Sequence, residues 1–182
     1  MALENGIDLV IELPVITATS SAENFAQGGV CLLNALGVVS QISFGAEANT
    51  ASDVNLLGRL ADFFAFEPPI FQEYLDQALK SGCSFPAARA KAALTCLQQA
   101  KHHSMDSQTL AQFEQLLASP NNILAIEYMK AIRRHNCKLT PSVVTRTGAG
   151  YHDADTDTAL ASASALRKFI FQDTSDQKNN FD

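Results

Sequence analysis

The sequence predicts an α/β domain built on a parallel sheet, and three observations carry that reading. Two β-rich runs, residues 7–13 and 38–44, flank a stretch with helical spacing. The joints between them are short, and a strand–helix–strand order of that kind makes a crossover that pairs its strands in parallel. Helical spacing then runs from 52 to about 135, and a third β-rich run follows from Leu139 to Arg146. At 182 residues, 47% of them hydrophobic and 18% charged, the chain has the size and composition of one folded domain.

Taken in order, residues 7–13 (Ile-Asp-Leu-Val-Ile-Glu-Leu) read as a short buried strand closed by Pro14. Residues 21–36 open at Ser20 or Ser21, place Phe25, Val30, Leu33 and Leu36 at helical intervals, and stop at Gly37. That is a helix with a hydroxyl N-cap and a C-terminal glycine. Val38 to Phe44 is the second strand, ending at Gly45. Ser52 can cap a helix over 53–66, Pro68-Pro69 restarts one that reaches Lys80, and Gly82 breaks it. Pro86 suits the first turn of a helix reaching His102, and Asp106 can cap another to Leu117. The polar stretch from Lys101 to Ser119 reads as a mobile insertion. Pro120-Asn121-Asn122 opens a helix with Ile123, Leu124, Ile126, Tyr128 and Met129 inside. Leu139–Arg146 is the third strand, with Pro141 marking an edge or a strand start. Residues 148–158 read as loop, 162–171 as helix and 173–182 as a disordered polar tail, so the domain is placed at 1–172.

The bulk properties exclude several classes. A formal charge of −6 argues against a surface that grips nucleic acid throughout. The one basic cluster, Arg133-Arg134-His135 with Lys138, could meet phosphates but suits an exposed helix end equally well. No apolar run approaches the roughly 20 residues of a membrane span. Cys31, Cys83, Cys96 and Cys137 are scattered without metal-ligand spacing, as reduced and mostly buried thiols of a cytosolic protein would be.

The residues that could carry chemistry concentrate late in the chain. Gly45 follows a strand's carboxyl end, where open parallel sheets bind ligands and a glycine lets a base or phosphate approach the backbone, although a plain turn would also use one. Ser119-Pro120-Asn121-Asn122 sets two amides at a helix start, one more than a cap needs. Arg146, at the end of the third strand and before Gly148-Ala149-Gly150, suits a phosphate or base, or a surface ion pair. The acidic run His152-Asp153-Ala154-Asp155 lacks the glycine and closing glutamate of a calcium loop, since Thr158 and Ser164 stand there. Ser162-x-Ser164-x-x-Arg167 joins hydroxyls at a helix N-terminus to an arginine one turn later, the makings of an anion site. In one parallel sheet Gly45, Arg146 and Ser162 would all face the same rim.

These residues, in this order, resemble the tRNA(Met) cytidine acetate ligase family of nucleotidyltransferase-like α/β proteins. The resemblance covers about residues 1–171, through Asn5 to Pro14, Phe25-Ala26-Gln27-Gly28, Phe44-Gly45-Ala46-Glu47, Pro120 to Leu124, Tyr151 to Asp155 and Ser162 to Lys168. It implies a Rossmann-like nucleotidyltransferase sheet with a helical insertion, about 52–135. It also implies activation of acetate by ATP, with Mg²⁺, as acetyl-adenylate, and acetylation of N4 of the wobble cytidine of elongator tRNA(Met). By resemblance, Gly45, Asn121 or Asn122, and Arg146 contact ATP, while Ser162, Ser164 and Arg167 face its phosphates. Catalytic residues are not assigned.

The sequence departs from that family at both ends. No His-Asn-Gly-His phosphate turn precedes Met1-Ala-Leu-Glu, and the tail does not resemble the family's C-terminal region. The expectation is therefore a fragment, inactive alone, with an uncovered sheet face through which it self-associates. Two other readings remain: a non-catalytic nucleotide-binding or interaction module, and a small-molecule adenylyltransferase of the same broad fold.

Overall fold

The computed structural model describes residues 3–99 and 106–145. The chain divides into two units after Thr145, and every described residue belongs to the first. A 3-10 turn at Leu3–Asn5 precedes α1 (Val15–Ala18), α2 (Ala22–Ala35), β1 (Gln41–Ala46), α3 (Ala51–Ala65) and α4 (Pro69–Lys80). Then come α5 (Phe85–Gln99), α6 (Ser107–Ala118), α7 (Pro120–Arg134) and β2 (Thr140–Thr145). The two strands pair in parallel, Gln41 opposite Thr140 and Ala46 opposite Thr145. Their connection is the whole run α3–α7, so the helical segment read at about 52–135 is the crossover of a parallel pair.

Each helix starts where local chemistry satisfies its free N–H groups. The Ser21 hydroxyl accepts from Asn24 N–H at the head of α2, and Gly37, at φ 70°, takes the left-handed turn that ends it. Thr50, not Ser52, caps α3. Its hydroxyl accepts from Asp53 N–H at 3.1 Å while the Asp53 carboxylate accepts from Thr50 N–H at 3.0 Å. A reciprocal box needs an acidic or amide-bearing partner three residues on that can reach back, and Asp53 supplies it for Thr50. Asp106 caps α6 through Thr109 N–H, and Ser119 with Pro120 opens α7.

Two expectations about strands are corrected. Residues 7–13 form no strand: Ile7, Leu9, Val10 and Ile11 are exposed, and no backbone ladder reaches them among the described residues. Apolar alternation alone does not make a strand without a partner edge. Here it sends Leu9, Ile11 and Leu13 towards a groove of about 340 Å³ that they share with Phe25 and Leu33 of α2 and Ile42 of β1. The parallel pair is therefore β1 with β2, not 7–13 with 38–44. The second run also begins later, at Gln41, leaving Val38 exposed.

A third correction concerns the stretch read as a mobile insertion. Residues 107–118 are helix α6, and Phe113, Leu116 and Leu117 are buried in the core. Its polar residues occupy one face only, so average polarity misled where periodicity did not. Residues 100–105, including the expected helix end at His102, lie outside the described residues. The thiols are likewise less buried than expected: Cys96 is buried, Cys31 is exposed, and Cys83 and Cys137 are half-buried.

The core packs α3, α4, α5, α6 and one face of α7, with Leu57, Leu60, Phe64, Phe113 and Ile126 sealed inside. Phe63, Phe64 and Phe71 meet edge to face, and Phe44 stacks on Tyr128 with ring centroids 5.1 Å apart, holding β1 against α7. An ionic network lies beneath. Glu127, 2% exposed, pairs with Arg89 at 2.6 Å and with Lys130 at 2.8 Å, and Lys130 reaches Glu23 of α2 at 2.7 Å. The Arg89 guanidinium also lies 3.9 Å from the centroid of the Phe64 ring. Buried charges persist only when paired in this way.

Candidate nucleotide site

Along β1, Ile42, Phe44 and Ala46 are buried and Gln41, Ser43 and Gly45 are exposed. The period-two pleat thus turns Gly45 outward at the carboxyl end of the strand. Parallel pairing brings Thr145 opposite Ala46, and the Thr145 hydroxyl donates to the Ala48 carbonyl at 2.9 Å. The carboxyl ends of both strands are thereby fixed side by side.

The start of α7 is tied to this strand end by one residue that sequence reasoning missed. The Ser119 hydroxyl donates to Glu47 Oε2 at 2.7 Å, and Asn121 Nδ2 donates to Glu47 Oε1 at 2.7 Å. The Glu47 backbone N–H donates to Asn122 Oδ1 at 2.8 Å. A carboxylate at a helix N-terminus is also favoured by the helix dipole. The two asparagines therefore divide their work. Neither caps the helix, since the Ser119 hydroxyl does that by accepting from Asn122 N–H. Asn121 steadies a carboxylate and Asn122 holds a backbone N–H. The signal for Glu47 was present in Phe44-Gly45-Ala46-Glu47, an acidic residue two positions past a strand-end glycine.

Asn121 and Asn122 are thus tied to Glu47, two positions past Gly45, while the rim expected for Gly45, Arg146 and Ser162 depends on residues outside the described ones. Arg146, Ser162, Ser164 and Arg167, with the run Tyr151–Asp155, lie outside the described residues. Beside the rim, between the starts of α3 and α7 and the flank of α6, sits a polar cavity of about 270 Å³. Among the described residues no lysine, arginine or histidine lines it.

The basic cluster turns out to be structural for its two arginines. Arg133 pairs with Asp62 and donates to the Gly58 carbonyl, while Arg134 donates to the Phe64 and Ala65 carbonyls and to Glu23. Both guanidiniums secure the carboxyl-terminal half of α3, whose last carbonyls lack helical partners. Among the described residues no group of three or more His, Cys, Asp or Glu could hold a metal ion, and no helix is long and apolar enough to cross a membrane.

Open α/β sheets bind ligands outside the carboxyl ends of their strands, which is where this parallel pair places Gly45 and the first turn of α7. The chain belongs to the HIGH Nucleotidyl Transferase family, whose profile matches residues 1–181. Among curated relatives, the tRNA(Met) cytidine acetate ligase of Clostridium perfringens (strain ATCC 13124) is 44% identical over 182 residues, covering 100% of this chain and 44% of that protein. That of Thermoanaerobacter sp. (strain X514) is 42% identical over 172 residues, 94% of this chain and 39% of that protein. Among solved structures, apo TmcAL of Thermotoga maritima matches with a TM-score of 0.81 at 32% identity, over 94% of this chain and 38% of that one. The same protein bound with alpha-thio ATP matches with a TM-score of 0.77 at 31% identity, over 95% of this chain and 37% of that one. The resemblance read from the sequence and the nucleotidyltransferase fold class are both borne out. The chain spans less than half the length of these proteins.

Proposed function

We propose that this chain is the nucleotide-binding part of an ATP-dependent tRNA(Met) cytidine acetate ligase. Its ATP sits on the rim of Gly45, Asn121 and Asn122, with Arg146 beside it and Ser162, Ser164 and Arg167 towards the phosphates. The single observation that carries this reading is the Glu47 clamp, which fixes a strand-end glycine and two helix-start amides as one surface. The relatives' shared name and the neighbour bound with alpha-thio ATP support the substrate assignment.

In this reading the nucleotide activates acetate as its adenylate, and N4 of the wobble cytidine in tRNA(Met) takes the acetyl group, in the cytoplasm. Catalysis of that kind rests on charge stabilisation around the phosphates. Mg²⁺ would arrive on the phosphates it neutralises, keeping most of its water. The apolar side chains of 7–11 and Val38 left on the surface support self-association through that face.

The test is acetate-dependent exchange of pyrophosphate into ATP. It is expected in the polypeptide at its relatives' full length and absent from residues 1–182 alone. Exchange that required a different carboxylate or an alcohol would make the protein another adenylyltransferase. ATP binding without exchange at full length would make it a non-catalytic module.

A further inference from the structure

A cavity of about 200 Å³ opens where the first turns of α2 and α5 meet α7, and among the described residues it shares none with the Glu47 clamp. Its walls are apolar: Phe64 of α3, Phe85, Pro86 and Ala90 of α5, Leu117 of α6 and Ile123 of α7. Phe85, 58% exposed, forms the lip, and Phe64 is sealed from solvent. The polar end is the Arg89–Glu127 pair, which also borders the cavity. Their charges meet at 2.6 Å, and Lys130 adds a second charge contact to Glu127 at 2.8 Å. Even so, Arg89 Nη2 and both Glu127 carboxylate oxygens are buried without a hydrogen-bond partner. Proximity balances charge, but a fork of N–H donors and a carboxylate also need partners at the right angle. Buried polar atoms left in that condition cost stability until a ligand supplies the bonds.

The pattern calls for a group that donates and accepts side by side. A primary carboxamide does so: its NH₂ donates to the Glu127 carboxylate and its carbonyl accepts from the Arg89 guanidinium. Arg89, with 16% of its side chain exposed, reaches this point on a flexible stem that lets the fork turn towards both. A charged ligand is disfavoured. Arg89 offsets Glu127 and Lys130 offsets Glu23, while Arg134 lies on the carbonyls that end α3. An ion brought into so balanced and buried a setting keeps an unpaired charge. An apolar cavity of roughly 150 Å³ already takes up benzene, so about 200 Å³ admits a six-membered ring with an amide attached. We propose that this cavity binds a small neutral carboxamide carried on a ring-sized hydrocarbon body, a ligand separate from the nucleotide. Its occupant touches α2, α3, α5, α6 and α7 together, so binding stabilises the fold by mass action.

The test titrates the 182-residue chain with benzamide, and with benzoate, benzylamine and toluene as isosteres of other charge or polarity. Binding is read by ¹⁵N NMR at the Ala22 and Ala90 backbone amides and the Arg89 side-chain N–H, and by thermal melting. Benzamide is expected to move these resonances along one saturation curve and to raise the melting temperature as it saturates. Each of the three isosteres should bind about tenfold more weakly, or worse. Saturating ATP, followed at the Gly45 amide, should leave the benzamide curve unchanged. Arg89→Lys keeps the charge beside Glu127 but loses the fork, and should weaken benzamide by about tenfold. Should that variant unfold, Ala90→Leu fills the cavity without touching the pair and should abolish saturation. Benzoate or toluene binding as tightly as benzamide, competition by ATP, or resonances that stay in place would overturn the proposal. Undiminished benzamide binding in Ala90→Leu would do the same.

Discussion

Asn122 and Glu47, 75 positions apart, are joined by a hydrogen bond of 2.8 Å from the Glu47 backbone N–H to the Asn122 side-chain oxygen. This bond makes one site of two segments, because it locks the first turn of α7 to the chain leaving β1. Asn122→Ala leaves that N–H without its acceptor in a part-buried position. The expected loss is about 1–3 kcal/mol, read as a lower urea midpoint with an unchanged slope.

The Glu47 side chain should matter more for binding than for folding. Glu47→Gln keeps the shape but offers one acceptor oxygen where Ser119 and Asn121 both donate. Calorimetry should show ATP bound about tenfold more weakly, or about 1.4 kcal/mol, with little change in melting temperature. Unchanged ATP affinity would separate Glu47 from the site.

The ionic network under the core makes the opposite expectation. Glu127→Ala removes the carboxylate shared by Arg89 and Lys130, of which Lys130 has only 4% of its side chain exposed. Removing one partner of a buried pair costs about 3–5 kcal/mol. Denaturant unfolding should register most of that, without a matching effect on ATP affinity in the fraction that stays folded.

Acid should weaken the contact between α2 and α7. Burial pushes the Glu23 carboxyl up, but the hydrogen bond and charge of Lys130, with Arg134 and Arg89, outweigh it and hold the pKa below the ordinary 4.5. A folded-state pKa below the unfolded one gives stability that is present above about pH 4.5 and lost as pH falls through the folded value. The wild-type chain should therefore exceed Glu23→Gln in stability at neutral pH, and the gap should close on acidification below pH 4.5. A gap independent of pH would mean that packing, not charge, is what Glu23 supplies.

What could be read from sequence follows from how local each signal is. Caps, proline starts and glycine stops act within four residues, so α2, α4, α6 and α7 were legible to within a residue or two. Strand pairing is not local. Residues 7–13 carry strand composition, yet β1 pairs with β2, nearly a hundred positions along, and the first run keeps no partner among the described residues. The site was half legible. A glycine at a strand end and two asparagines at a helix start stand out as residue types in the wrong number for structure alone. Glu47 did not, because its importance comes from three partners that the sequence leaves more than seventy residues away. The Arg133–Arg134 pair showed the converse. Their charge suggested a ligand, and only geometry revealed that the end of α3 uses it.

The central claim is that an adenine nucleotide lies across the carboxyl end of β1 and the start of α7. The most direct measurement is ATP titration of the ¹⁵N-labelled chain, followed at the Gly45 backbone amide and the Asn121 and Asn122 side-chain amides. The account expects these resonances to move together along one saturation curve, at a concentration where GTP leaves them in place. Saturable ATP binding that left all three unmoved, or shifted residues on the far face of α7 instead, would contradict it.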